Sequence, residues 1–210
     1  AGPCDKCDGP HATEDCPHFK KQRDDHPDAL RRAPHAGIGA AGGNAYLAAA
    51  EVVRQPGDGS CLFHSLCHGL SRRRGRHHDH RWLRTALMDW LRRHEAHPIA
   101  ETPVRDWVKW DSNQSVEDYA RRMRVGGWGG GVEMAAFARL FDVDVHVWER
   151  AGASSKYPFK RISRFDRPGG AGGPPVDVLY RGGVHYDALI ARPGALVELE
   201  PGAPSPRVGA

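Results

Sequence analysis

Apolar residues recur at helical spacing through the middle of the chain and at alternating spacing near its end. Regular patterning begins near Ala45. "AEVVRQP", residues 50–56, reads as a short strand stopped by Pro56. "CLFHSLCHGL", residues 61–70, has helical spacing, and Gly69 stands where such a helix can end. The charged run "SRRRGRHHDHR" that follows reads as a solvated loop. In "WLRTALMDWLRRH", residues 82–94, Trp82, Leu83, Ala86, Leu87, Trp90 and Leu91 share one helical face. Ser115 and Asp118 have capping-box spacing, with Asp in place of the usual Glu, and Val116, Tyr119, Ala120 and Met123 form the buried stripe behind them. Residues 132–141 predict a further helix, apolar nearly all round and therefore central.

The period then becomes two. Val143, Val145 and Val147 alternate with polar residues, as do Val176 and Val178, and "VHYDALIA" at 184–191 predicts a third strand. Residues 150–175 carry Ser, Pro and a Gly cluster and read as a variable connection. The order is helices first, then strands. It predicts an α/β (α+β) fold with a small central β-sheet packed between helices.

Composition adjusts this picture at both ends. The chain has 210 residues, 40% hydrophobic, enough for one domain with appendages. Residues 1–19 form a Cys/His-rich unit, 20–44 a polar then Ala/Gly-rich linker, 45–192 the main domain, and 193–210 a proline-rich tail expected to be disordered. A formal net charge of +4 is too small for a dedicated nucleic-acid binder. No apolar run is long enough to span a bilayer, so no membrane partner is expected. The sequence opens on Ala1 rather than methionine and is expected to be a piece of a longer chain, so a missing leader excludes nothing. Five cysteines, three of them in the first 16 residues, suit metal binding and thiol chemistry in a reducing intracellular compartment, cytoplasm or nucleus.

Cys61 draws attention because a Gly-containing turn, "PGDGS", places it at the start of a helix. A helix N-terminus carries positive partial charge and unpaired N–H groups. These favour a thiolate and can hold a developing oxyanion. A thiol nucleophile needs a base, and the base needs an orienter. His185 and Asp187, two apart on a predicted strand, leave the same face and supply both. His64 and His68 are nearer in sequence but have no acid close by in their segment, and read as helix surface. Cys67 reads as core. His77, His78 and His80 could form a metal site, but the solvated loop is the preferred reading.

"DGSCLF", then "WGGGVE", then "HYDAL" resemble in order the motifs of the ovarian-tumour (OTU) family of cysteine proteases, over about residues 45–192. The resemblance implies an OTU-like fold with Cys61 as nucleophile, His185 as general base and Asp187 as third member. It implies that the Asp58 loop helps form the oxyanion hole. The implied substrate is an isopeptide bond between the ubiquitin C-terminus and lysine, with ubiquitin or polyubiquitin as partner and no cofactor at the catalytic centre. Ubiquitin ends in two glycines, so a narrow channel suffices for selection. Trp128 and Gly129 in "GGWGGG" could form one wall, or a flexible turn. Glu133 could meet an arginine of the ubiquitin tail, or simply favour the helix dipole. Trp107 and Trp110 could touch ubiquitin's globular part, or pack helices. Another ubiquitin-like modifier as substrate, or a catalytically weak ubiquitin-binding scaffold whose amino-terminal Cys/His unit recruits RNA or protein, are the rival readings.

"CDKCDGPHATEDC" places Cys4, Cys7, His11 and Cys16 at a spacing suited to tetrahedral Zn2+, with His18 as a substitute ligand. A unit this short has no core, so metal must organise it. It resembles a zinc knuckle, with three rather than four residues before the histidine. Its loops lack the aromatics and bases that meet RNA. A structural or protein-binding role is therefore expected ahead of RNA recognition.

Overall fold

A computed structural model describes residues 40–41, 44–170, 172–200, 203 and 205–207. The expected zinc unit at Cys4, Cys7, His11 and Cys16 lies outside them, with most of the linker.

The chain enters through three short strands, β1 (Ala40–Ala41), β2 (Ala45–Leu47) and β3 (Ala50–Val53). Helices α1 (Cys61–Arg74) and α2 (His80–Arg93) follow, then a small hairpin of β4 (Pro98–Ile99) and β5 (Thr102–Pro103). Next come α3 (Val104–Ser112), α4 (Val116–Val125) and α5 (Gly131–Phe141). The remaining strands are β6 (Val145–Arg150), β7 (Phe159–Phe165), β8 (Val176–Arg181), β9 (His185–Ala191) and β10 (Leu196–Glu198). One sheet has the order β10-β2-β7-β6-β8-β9-β3, with β1 also paired to β7. β6 and β8 run parallel, while β8 and β9 are antiparallel.

Several expectations hold at residue level. Ser115 caps α4 by accepting the Asp118 N–H, and Val116, Tyr119, Ala120 and Met123 are all buried. The apolar helix α5 is central, with Val132 through Ala138 buried. Others are corrected. α1 runs past Gly69 to an αL cap at Gly75, absorbing much of the expected loop. A Cβ on Gly69 would lie 2.5 Å from a Val176 methyl, so this glycine lets the helix approach β8. On α2, Arg84 and Met88 are buried, while Trp82 stays 43% exposed. β7 arises inside the expected variable connection. β10 falls in the expected disordered tail, where it pairs with β2.

All five helices contribute to one core cluster with Val145, Val147, Val176, Val178 and Tyr186 of the sheet. A second cluster, built on Leu47, Trp148, Phe159, Leu179 and Leu189, draws on strands and connections alone among the described residues. The helices thus pack on one face of the sheet rather than on both.

Candidate active site

The turn before α1 is built by Asp58. Its Oδ1 accepts the Ser60 N–H at 2.8 Å, and Gly59 takes φ 80°, a left-handed conformation that glycine adopts without strain. Cys61 is the first residue of α1. Ser60, the N-cap, makes no side-chain capping bond, so it leaves the first-turn amides free of that partner.

β9 brings the base. His185 is its first residue, buried to 4% exposure, and its Nε2 lies 3.0 Å from Asp187 Oδ1. The strand period therefore does bring this pair together. Asp187 is fully buried and is itself held: the Gln55 N–H donates to Oδ1 at 2.9 Å, and Arg181 Nε stands 2.7 Å from Oδ2. Gln55 belongs to the segment between β3 and the Cys61 turn, so one carboxylate ties the histidine strand to the cysteine loop. Burial alone would lower the His185 pKa. Hydrogen bonds to Asp187 and to Cys61, with their charges, overcome it and raise the value to about 9. Burial likewise opposes the charged form of Asp187, but His185, the Gln55 N–H and Arg181 hold its pKa below the usual range. His185 is thus held by the Asp187 carboxylate at 3.0 Å, and the Cys61 thiol acts on it in the direction that favours the imidazolium.

Arg84, absent from the sequence expectations, holds the surrounding loops. It is 3% exposed and donates to Met123 O at 2.9 Å, Gly127 O at 2.7 Å, Gly59 O at 3.0 Å and Ser60 Oγ at 3.2 Å. Its guanidinium also lies 3.9 Å from the Phe63 ring centroid. One buried cation therefore joins the Cys61 turn to the glycine-rich segment 126–131. Its only sequence signal is an arginine inside a helix whose neighbours are apolar.

A cleft of about 10 Å3 beside Cys61 is lined by Trp128, Gly129, Tyr180, Gly183, Val184 and Tyr186. Trp128 and Gly129 are thus both placed beside Cys61. A Cβ on Gly129 would lie 2.9 Å from Leu62 Cδ2 and from Phe63 Cε2, so its bare side faces α1 and lets the segment lie against that helix.

Glu133 is corrected. It is 1% exposed, accepts the Tyr119 hydroxyl at 2.6 Å and the Gly130 N–H at 2.8 Å, and burial raises its pKa to about 7. It braces the start of α5 and does not face a substrate. Trp107 packs against the core and donates Nε1 to Ile99 O at 2.9 Å, whereas Trp110 is 66% exposed. His64 is corrected as well: its Nε2 lies 3.0 Å from Asp58 Oδ2, so an acid is at hand after all. Cys67 is buried, and burial raises its thiol pKa to about 12, as befits a core residue.

The family model of the OTU-like cysteine proteases matches residues 56–170, more than half of the chain. That stretch includes Cys61 and Gly129 and ends before His185. An Arabidopsis thaliana protein, ovarian tumor domain-containing deubiquitinating enzyme 4, is 29% identical over 143 residues, covering 66% of this chain and 43% of its own length. The RNA-directed RNA polymerase L of Crimean-Congo hemorrhagic fever virus is 26% identical over 144 residues, covering 68% of this chain and 3% of its own. The chain thus spans less than half the length of either curated relative. The solved Hazara virus OTU bound to ubiquitin superposes with a TM-score of 0.53 at 24% identity, over 68% of this chain and 82% of that one.

Proposed function

Because the chain belongs to the OTU-like cysteine protease family, we propose that it hydrolyses isopeptide bonds at the ubiquitin C-terminus through Cys61, His185 and Asp187. The observation that carries this reading is the His185–Asp187 pair at 3.0 Å, with Cys61 lining a cleft alongside Val184 and Tyr186, the two neighbours of His185 in the chain. The two glycines at the ubiquitin C-terminus carry no side chains that would have to clear Trp128 and Gly129, which line this cleft. The names of the Arabidopsis relative and the Hazara virus structure support ubiquitin as the partner.

In the proposed cycle, the Cys61 sulfur attacks the carbonyl carbon of the terminal glycine. The first-turn amides of α1 receive the oxyanion, aided by the Asp58 turn. His185 carries the thiol proton and gives it to the departing lysine amine as the C–N bond breaks, leaving a thioester. His185 then takes a proton from water, which attacks the thioester and restores the thiol. Asp187 keeps the ring oriented and its cationic form stabilised.

The cysteines Cys61 and Cys67 are free thiols, which fits a reducing cytoplasm or nucleus. Among the described residues no helix is long and apolar enough to cross a membrane. Zinc at Cys4, Cys7, His11 and Cys16 belongs to the same proposal, as a separate structural unit. Its role is protein contact ahead of RNA.

The test is turnover of a fluorogenic amide of the ubiquitin C-terminus, run beside the same amide of other ubiquitin-like modifiers. Preferred release from ubiquitin supports the assignment. Preferred release from another modifier moves the substrate within the same chemistry, and no release from any of them refutes it.

A further inference from the structure

A second constellation lies at the Cys61 turn: it shares Asp58 with the proposed hydrolysis, but its two histidines take no part in that reaction. Asp58, His64 and His80 come from the turn, α1 and the first residue of α2, and one potential ligand atom from each lies within 4.8 Å of the others. Asp58 Oδ2 is 3.0 Å from His64 Nε2, and the His64 and His80 ring centroids are 4.0 Å apart. Asp79 Oδ1 lies 3.0 Å from His80 Nδ1, which holds that ring by one nitrogen and leaves Nε2 as its ligating atom.

We propose that Asp58, His64 and His80 form a binding site for a divalent transition-metal ion of zinc type, linking the nucleophile turn to the start of α2. Two imidazoles and one carboxylate are the borderline donors that zinc prefers, with a fourth position left to water. Donors about 2.0–2.1 Å from a tetrahedral ion stand about 3.3 Å apart. The Asp58–His64 pair is already near that spacing, so the ion takes the place of their shared proton, and a small rotation of His80 completes the set. Asp79 supplies the outer carboxylate that commonly orients a ligating histidine. Asp58 Oδ1 keeps its bond from the Ser60 N–H while Oδ2 binds the ion, so occupancy acts on the residue immediately before Cys61. The exposed position of Asp58 gives the ion a path from solvent.

The site is tested on the full chain carrying Cys61→Ser, which keeps the catalytic thiol from taking metal. Zn2+ is titrated against a chromophoric chelator, and the double variant His64→Gln/His80→Gln is compared with this parent. The double variant should bind one equivalent fewer, whatever the amino-terminal cysteines bind. Asp79→Asn, which keeps an effective N-cap for α2, should weaken the same equivalent by about tenfold. Independently of any change at the ligands, Co2+ added after the tightest zinc site is filled should broaden the amide resonances of residues 58–64 and 79–81 first. An unchanged number of equivalents in the double variant, or Co2+ broadening that begins elsewhere, overturns the proposal.

Discussion

Replacing Arg84 by lysine keeps the charge and most of the volume but removes the planar fork. In the structure the fork spans four acceptors, at Gly59 and Ser60 of the Cys61 turn, Met123 of α4 and Gly127 just beyond that helix. One ammonium has three donors around a single point and cannot serve both sides. Each hydrogen bond from a charged donor contributes about 1.5–3 kcal/mol. Two lost on one side sum to several kcal/mol, although such terms are not additive. Two such bonds lost give about 3–6 kcal/mol, which is the working figure for Arg84→Lys. At about 2–4 °C per kcal/mol for a domain of this size, the melting temperature should fall by on the order of 10 °C. The surviving folded enzyme should lose kcat more than it gains KM, because the Cys61 turn is misplaced while the outer surface is intact. Thermal melting and steady-state hydrolysis of a ubiquitin fluorophore read the two effects. A variant that melts within about 1 °C of wild type with unchanged kcat would refute this bracing role.

The His185 pKa of about 9 implies that its cationic form, which the leaving amine requires, persists through neutral pH. kcat/KM should therefore fall as pH rises through about 9, and Asp187→Asn should move that limb to lower pH. Since the folded value is raised above the ordinary 6.5, the linked stability is complete below that value and is lost as pH rises through about 9. Gly69→Ala should destabilise by about 1–3 kcal/mol, measured by urea unfolding, because its methyl overlaps Val176 and α1 must lift from β8. Glu133→Gln should leave KM for ubiquitin unchanged and alter stability by no more than about 1 kcal/mol at pH 7, since the buried carboxyl is already partly neutral there. A large KM increase would restore Glu133 to the substrate side.

Local signals were legible where one segment settles its own structure. The Ser115 cap, the apolar α5 and the strand pair His185/Asp187 all follow from spacing over a few residues. Signals failed where the deciding partner is remote. Gly69 resembles a helix end, but its reason is Val176 on β8. β7 hides its alternation because Arg161 points inward and is paired with Glu198 of β10 at 3.0 Å. β10 has only three residues, mostly exposed, and exists through its backbone pairing with β2. His64 found its acid across a turn, six residues back, and its second ring on another helix. Arg84 is polar by sequence and buried only because four acceptors converge on it.

The central claim is that Cys61, and no other thiol, attacks the ubiquitin C-terminus with His185 as its partner. The direct measurement is reaction of the full chain with ubiquitin bearing a carboxy-terminal electrophile, followed by peptide mapping of the adduct. The account predicts one adduct per chain, on Cys61, absent in Cys61→Ala and strongly slowed in His185→Ala. Cys67 should stay unmodified because its buried thiol, with a pKa near 12, remains protonated. No adduct on the folded protein, or an adduct on another cysteine at a comparable rate, would contradict the account.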